Sequence, residues 1–218
     1  QHPELGFAET RTAGVIAEHL RGLGLEVRTE VGKTGVVGVL RGARPGRVVA
    51  LRADMDALPV REATGLPFAS TATGTYMGAA VPVAHACGHD THTAMLLGAA
   101  SVMAKNKDKV PGKVVFIFQP AEEGAANIDV FDAKSPSWGA KRMVEEGVID
   151  KFGIEAIFGV HVMSNAHAGE IQYKVGAALN SADGFRIRLE GKQAHGAMPW
   201  TGADPIVASA NVINGMQT

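Results

Sequence analysis

Lys113-Val114-Val115-Phe116-Ile117-Phe118-Gln119 is a continuous apolar run of the kind that forms a strand buried on both faces. Residues 156–162 form a second such run. Apolar residues at three- and four-residue steps predict an amphipathic helix over residues 10–23, and an Ala-, Met- and Leu-rich stretch predicts a buried helix over residues 91–104. Wholly apolar strands with helices between them indicate an α/β fold, with a mostly parallel sheet covered by helices.

Two further runs of strand-forming residues, 35–40 and 47–52, lie on either side of residues 41–46. The intervening segment, RGARPG, contains two glycines and a proline. Glycine and proline between two β-branched runs are typical of a turn. The sequence therefore predicts a β-hairpin in which these two strands pair with each other.

The pattern changes near Ala177. Residues 185–190 alternate strictly between apolar and polar, as in a strand with one solvated face. Asp204 or Thr201 is placed to cap a helix that begins at Pro205. A one-sided strand followed by a helix indicates a small α+β unit. The predicted domains are therefore residues 1–178 and residues 179–218.

Composition narrows the possible partners. The chain has 218 residues with 21 basic and 22 acidic side chains, so its net charge of -1 offers no electrostatic attraction for nucleic acid or an anionic membrane. No apolar run approaches the roughly 18 residues of a transmembrane helix. A single cysteine excludes an internal disulfide. We expect a small-molecule substrate and a cytoplasmic location, with a periplasmic or secreted protein as the alternative.

Residues 84–92, AHACGHDTH, place the only cysteine, three of the eight histidines and an aspartate close together. Thiolate, imidazole and carboxylate groups bind divalent cations, and crowding them is costly without a compensating charge. An isolated cysteine is more often a small buried hydrophobe. Cys87, however, is separated from His89 only by Gly88, a flexible joint that permits close approach. We therefore predict that this segment contributes metal ligands.

Other candidate residues also follow predicted strands. They come after three separate apolar runs, in this order: Asp54 and Asp56, Glu122 and Glu123, and His161. In open α/β sheets, ligands gather at the carboxyl ends of the strands, so we expect these side chains to form one site. Taken singly, each has a simpler explanation: the aspartates could cap a turn, the glutamates could lie in a solvated turn, and the histidine could be a hydrogen-bonded core residue.

The adjacent carboxylates of Glu122 and Glu123 suggest a division of labour. A carboxylate that binds metal is fixed, whereas its neighbour can act as general base and then as general acid toward a leaving amine. Two divalent cations would lower the pKa of a water and polarise a carbonyl group. A thiolate beside imidazole and carboxylate favours zinc, manganese, cobalt or nickel over magnesium or calcium. These features indicate a metal-dependent hydrolase.

Five motifs resemble, in order, those of the M20 metallopeptidase family. They are residues 2–10 (HPELGFAET), 51–59 (LRADMDALP), 85–93 (HACGHDTHT), 118–124 (FQPAEEG) and 159–162 (GVHV). Within that family the sequence is most similar to the amidohydrolase subfamily, which contains hippurate hydrolases, N-acyl-amino-acid amidohydrolases and indole-acetyl-amino-acid hydrolases. The resemblance runs along the whole chain.

The resemblance implies a zinc-peptidase-like catalytic domain interrupted by an inserted ferredoxin-like lid, which commonly forms a homodimer. By motif, the residues that resemble metal ligands are Cys87, His89, Glu123 and His161. Glu122 resembles the general base, and Asp56 matches the aspartate that orients the metal site. His195, in the segment GKQAHGAMP, resembles the lid histidine that helps to hold the substrate carbonyl.

This sequence departs from the family pattern in two places. The family has one further histidine ligand after the lid, and this sequence ends at Thr218, within the region that resembles the lid. We therefore expect an incomplete chain that binds metal poorly and is inactive alone. The second departure is the long segment of residues 125–138, in which Phe131 and Trp138 could line an acyl pocket; we favour a role in anchoring the loop.

The function expected from these features is hydrolysis of the amide bond in N-acyl amino acids or similar conjugates. One alternative is a thiol hydrolase in which Cys87 is the nucleophile and His89 or His92 is the base. It leaves Glu122, Glu123 and His161 without a role. Another is a metal-binding or dimerising fragment without turnover. A chelator separates the thiol mechanism from the metal-dependent one.

Overall fold

A computed structural model describes residues 1–179 and 184–217. The chain divides into two compact units, Gln1–Gln172 and Tyr173–Thr218, which are described separately below. The predicted division between residues 178 and 179 lies close to residues 180–183, which are outside the described part. It stays a prediction.

The first unit begins with a helix and five strands, and continues with a long helix, a strand, two short helices and a last strand. The described strands are β1 (Glu26–Val31), β2 (Gly35–Arg41), β3 (Arg44–Asp54), β4 (Thr73–Tyr76), β5 (Ala79–Pro82), β6 (Pro111–Gln119) and β7 (Ala156–Gly159). The described helices are α1 (Thr10–Gly22), α2 (His89–Lys105), α3 (Gly139–Glu145) and α4 (Val148–Phe152), with a 3-10 turn at Lys107–Lys109. The predicted α/β class is therefore confirmed.

The main sheet has the strand order β1-β2-β6-β3-β7. β3 pairs in parallel with β6 and with β7, whereas β2 pairs antiparallel with both β1 and β6. The sheet is thus mixed rather than mostly parallel. Strands β4 and β5 form a separate antiparallel pair.

The predicted hairpin between β2 and β3 is wrong, because β6 lies between them. The connecting loop passes close to the start of β6: the Gly42 N–H donates to the Gly112 carbonyl at 2.9 Å, and a Cβ on Gly42 would lie 2.1 Å from the Val110 carbonyl oxygen. A central buried strand needs hydrogen-bond partners on both edges. β2 and β3 supply them on opposite sides of β6, a pairing that local turn residues do not reveal.

Apolar clusters cover both faces of the sheet. On one face, helices α1 and α2 pack on the strands through a cluster that includes Ile16, Leu20, Leu96, Phe116 and Phe118. On the other face, α3 and α4 contribute to a cluster that includes Val37, Val115, Met143, Val148 and Phe152. Alternate residues of β6 therefore enter different cores, which explains why its sequence is continuously apolar. The prediction of a sheet covered on both faces is confirmed.

Helix α2 begins and strand β7 ends at residues other than those predicted, and both of these ends lie beside candidate site residues. Helix α2 begins at His89, two residues before the predicted start at Thr91, so that His89 lies on the helix. β7 ends at Gly159, although its apolar run continues to residue 162. The backbone therefore leaves the sheet before His161, and hydrophobicity alone did not predict this.

The second unit contains helix α5 (Pro205–Met216) and a 3-10 turn at Pro199–Thr201. Asp204 caps α5, since its carboxylate accepts from the backbone N–H groups of Ile206 and Val207 at 2.8 and 3.3 Å. The predicted strand over residues 185–190 is wrong, because the described residues 184–190 have no strand conformation. Alternation predicts which face of a strand is solvated, but a strand also needs a hydrogen-bonded neighbour. The ferredoxin-like lid stays a prediction.

Among the described residues, no helix combines the length and the apolar character needed to cross a lipid bilayer.

Candidate metal centre

The candidate site lies where three adjacent strands end. β3 ends at Asp54, β6 at Gln119 and β7 at Gly159, and these strands run in parallel, so their carboxyl ends share one edge of the sheet. The N-terminus of α2, at His89, lies at the same edge. Separate segments of the chain therefore converge on one edge of the sheet, as the sequence predicts.

His89 lies at the centre of the cluster and is 1% exposed. Its Nδ1 donates to Asp56 Oδ1 at 3.2 Å, which leaves the lone pair on Nε2. The Nε2 atom is 3.6 Å from Asp54 Oδ2, 3.7 Å from Glu122 Oε2 and 3.9 Å from Glu123 Oε1. It is buried and has no hydrogen-bond partner among the residues that the structure describes. A buried lone pair that faces carboxylates fits a metal ligand.

Cys87 and His161 form the other side of the cluster. Cys87 Sγ lies 3.5 Å from His161 Nε2. His161 Nδ1 donates to the Val162 carbonyl at 2.7 Å, so that Nε2 keeps its lone pair toward the sulfur. The ligand atoms of Cys87, His89 and His161 lie within 4.8 Å of one another, as do those of His89 and the two adjacent glutamates. The other three predicted ligands, Cys87, Glu123 and His161, therefore lie around His89.

Asp56 connects the two groups of candidate ligands. One carboxylate oxygen accepts from His89 Nδ1, and the other accepts from the Glu123 backbone N–H at 2.9 Å. Asp56 is itself buried, at 1% exposure. Hydrogen bonds of this kind fix the tautomer and orientation of a metal-binding histidine.

The electrostatics of the cluster favour a cation. Burial, together with the nearby carboxylates of Glu123 and Glu122, raises the pKa of the Cys87 thiol to about 12. Burial also raises the pKa of Glu122. Burial would lower the pKa of His89, but the hydrogen bond to Asp56 and the surrounding carboxylates outweigh it and raise that pKa. The thiol of Cys87 and the exposed carboxylates of Glu122 and Glu123 surround the buried His89, and a divalent cation there would compensate their charge.

The same geometry weakens the thiol-hydrolase alternative. A thiol nucleophile reacts as thiolate, and the raised pKa of Cys87 opposes ionisation at neutral pH. The imidazole near its sulfur is that of His161, whereas His92, one of the bases considered, has both nitrogens engaged elsewhere. The arrangement therefore suits a metal ligand better than a nucleophile.

The sequence reasoning overlooked the part played by His92 and Asp54. His92 Nδ1 donates to Asp54 Oδ1 at 2.6 Å, and His92 Nε2 accepts from the Val162 N–H at 2.9 Å. The hydrogen bond from His92 and the positive charge of Arg52 outweigh burial and lower the pKa of Asp54. The spacing of His89 and His92, three residues apart on one helix, was the available signal that both face the sheet.

Glu9 is another buried carboxylate near the site, and the sequence did not single it out. It is fully buried; its Oε1 accepts from the Ala121 N–H at 2.8 Å and its Oε2 accepts from the Thr34 hydroxyl at 2.6 Å. Desolvation raises the pKa of Glu9 to about 7. Ala121 has a positive φ of 49° immediately before Glu122, so Glu9 holds the turn that presents the two glutamates.

His195 and the long loop are also described. His195 belongs to the second unit, where its Nδ1 accepts from the Ala197 N–H at 3.1 Å, so that Nε2 carries the proton. Its predicted role in the site stays a prediction. In the loop of residues 125–138, the Ala126 N–H donates to the Gly6 carbonyl at 3.0 Å. Ala126 is buried, Phe131 is 43% exposed and Trp138 is half-buried, so the expectation that the two aromatic residues anchor the loop stays a prediction.

The chain is similar in sequence to known proteins. Residues 50–213 match the family model described as peptidase family M20/M25/M40. The chain is 44% identical over 215 residues to thermostable carboxypeptidase 1 of Saccharolobus solfataricus, covering 98% of the chain and 50% of that protein. It is 41% identical over 216 residues to an N-acyl-L-amino acid amidohydrolase of Geobacillus stearothermophilus, covering 99% of the chain and 53% of that protein.

A solved structure from Bacillus subtilis, described as a dinuclear metal binding peptidase from the M20 family, is also similar. It is 39% identical, with a TM-score of 0.61, and the match covers 75% of the present chain and 40% of that one. The chain spans about half the length of the curated relatives it matches.

Proposed function

The chain belongs to peptidase family M20/M25/M40, and from that membership we propose that it carries the catalytic centre of a metal-dependent hydrolase of N-acyl amino acids. One observation carries the proposal. The buried Nε2 of His89 has no hydrogen-bond partner in the described part of the chain and lies within 3.9 Å of carboxylate oxygens from three residues. A buried nitrogen lone pair without a hydrogen-bond donor is unfavourable in a protein core. It is better explained as a ligand of a bound cation.

The proposed ligands are Cys87, His89, Glu123 and His161, holding two divalent cations between them. Their thiolate, imidazole and carboxylate groups suit zinc, manganese, cobalt or nickel. When bound, such cations lower the pKa of a water molecule and polarise the scissile carbonyl. Asp56 orients His89 and Glu123 through its two carboxylate oxygens.

Glu122 is the proposed general base. Its side chain is 41% exposed and its Oε2 lies 3.7 Å from His89 Nε2, so it borders the ligand cluster and can also meet a substrate. Burial raises its pKa, which suits a carboxylate that takes a proton from water and then gives it to the leaving amine. His195, protonated on Nε2, is proposed to donate to the oxyanion.

The proposed substrates are small N-acyl amino acids. One relative is named as an N-acyl-L-amino acid amidohydrolase and another as a carboxypeptidase, and both names denote cleavage of an amide bond. We also propose a homodimer formed through residues 179–218. Analytical ultracentrifugation of the chain with and without those residues tests it: loss of the dimer on truncation supports the proposal, and a dimer that persists contradicts it.

Hydrolysis assays test the function. Acetyl, benzoyl and indole-acetyl amino acids are offered to protein that has been treated with a chelator and then resupplied with zinc, manganese, cobalt or nickel. In a protein that also supplies the histidine ligand expected after the lid, we expect turnover to disappear with chelation and to return with metal, whereas the 218-residue chain alone is expected to bind metal poorly and to be inactive. Glu122→Gln, which removes the base but none of the proposed ligands, is expected to bind metal normally and to lose about 10²- to 10⁴-fold in kcat. Turnover that resists chelation contradicts the proposal.

A further inference from the structure

A line of polar contacts crosses the ends of three neighbouring strands. Arg52, near the end of β3, donates from Nε to Gln119 Oε1 at 2.9 Å and from Nη1 to Asp54 Oδ2 at 2.8 Å. Gln119 is the last residue of β6, so these bonds connect the two parallel strands through their side chains. Three residues beyond Gln119 lies Glu122, the proposed base.

The line continues from Asp54 through His92 to the segment after β7. The Asp54 carboxylate only accepts, so the proton of His92 lies on Nδ1; its Nε2 accepts from the Val162 N–H. Both nitrogens of His92 therefore have protein partners, and so do both carboxylate oxygens of Asp54. Although these two residues form a possible ligand group with His89, their bonds mark them as connectors and not as ligands.

His92 contacts the backbone just after β7, where the chain has left the sheet. β7 ends at Gly159, and Val162 lies three residues further, outside the strand. The ring centroids of His92 and His161 are 4.5 Å apart, and the His161 Nδ1 donates to the Val162 carbonyl. His92 is 2% exposed and is fixed by α2, so it is a rigid support for this segment.

We propose that His92, oriented by Asp54, is a positioning residue that holds the backbone at Val162 and thereby sets the distance of His161 from Cys87. The inference rests on the proposed function, because it takes His161 and Cys87 as metal ligands. Protein groups behind the ligands commonly tune metal affinity through such hydrogen bonds. His92 thus connects the cation site to the sheet without touching the cation.

Two substitutions at His92 test its bond to Val162 separately from its bond to Asp54. In His92→Gln, the amide oxygen takes the place of Nε2 and can still accept from Val162. In His92→Asn, the shorter amide takes the place of Nδ1, and the bond to Val162 is lost. His19→Gln, on the exposed face of α1, is the matched control.

Cobalt binding gives the readout. Cys87 is the only cysteine, so a thiolate-to-cobalt charge-transfer band reports this site alone. We expect His92→Asn to weaken cobalt binding by about 10- to 100-fold. His92→Gln is expected to keep affinity closer to that of the unsubstituted chain, and His19→Gln is expected to equal it. Equal affinity of all four proteins, with a clear band in each, overturns the positioning role.

Nitrogen-15 NMR of the unsubstituted chain provides a test that does not depend on the folding of a variant. The inference requires His92 to donate from Nδ1 and to accept on Nε2, and the Val162 amide to be protected from hydrogen exchange. A proton on Nε2, or rapid exchange at Val162, contradicts it. If the unsubstituted chain shows no charge-transfer band, the proposed ligand set fails; if it shows the band but His92→Asn binds equally well, only the present inference fails.

Discussion

At the scale of single residues, Glu9 shows how a buried carboxylate can serve the site at a cost in stability. Its carboxylate accepts from Thr34 and from the Ala121 N–H, one residue before Glu122. Because burial raises its pKa from 4.5 to about 7, the folded protein binds a proton more tightly than the unfolded chain does. The position is therefore less favourable for stability above neutral pH than below it.

The sign of this effect gives a prediction for Glu9→Gln. As pH rises from 4.5 through 7, the unsubstituted protein loses stability at this position, while a neutral glutamine has no such loss. The free energy of unfolding of the variant, relative to the unsubstituted protein, is expected to increase across that window by up to about 3 kcal/mol. Urea denaturation at pH 4.5 and pH 8 measures it. Exposed Glu18→Gln is the control, and equal pH dependence of both variants refutes the prediction.

Among the elements, the start of α2 depends on Gly88. This glycine has a φ of 92° and forms the joint between Cys87 and His89. A Cβ at this position would lie 2.2 Å from Val162 Cγ2, the side chain next to His161. The joint therefore permits both the turn and the close approach of the segment after β7.

Gly88→Ala is expected to destabilise the fold. An alanine in the left-handed region costs about 1–2 kcal/mol before any clash with Val162. Gly98→Ala, on the exposed side of the same helix with no atom within 4 Å of the added Cβ, is expected to stabilise by about 0.5–1 kcal/mol. Denaturant unfolding of both variants measures the difference. Equal effects of the two substitutions would show that the joint imposes no constraint.

The elements also show which parts of the fold were predictable. Continuous apolar runs identified β6 and its burial on both faces, because a strand between two helical layers has no solvated face. Periodicity located α1, and an Ala-, Met- and Leu-rich composition located α2, each to within two residues at its ends. The insertion of β6 between β2 and β3 was not predictable, since pairing is decided by long-range contacts and not by the turn at residues 41–46.

The candidate site was likewise predictable only in part. The convergence of the carboxylates after β3 and β6 with His161 after β7 could be predicted, because the carboxyl ends of parallel strands share an edge. The choice of Cys87, His89, Glu123 and His161 as ligands followed from the family resemblance and stays a prediction. The roles of His92 and Glu9 could not be predicted, since each depends on a backbone N–H far away in sequence, at Val162 and Ala121. Such partners leave no local pattern.

At the scale of the whole molecule, cation binding and stability should be linked. The first unit gathers a thiol and several carboxylates at one edge of its sheet, and a cation that binds only the folded state stabilises it. At about 100 times its dissociation constant, the cation adds about 2.7 kcal/mol to the free energy of unfolding. Thermal unfolding with zinc and with a chelator measures this. Cys87→Ser is expected to respond less, and magnesium is expected to stabilise less than zinc; equal midpoints with and without zinc contradict the linkage.

The measurement that tests the metal centre most directly is anomalous diffraction from crystals of the chain grown with zinc or manganese. The account predicts anomalous peaks at about 2.0–2.3 Å from the ligand atoms of Cys87, His89, Glu123 and His161. It also predicts that His92 keeps its bonds to Asp54 and Val162 in the same crystals. Peaks confined to other parts of the surface, with none beside His89 Nε2, would contradict the account.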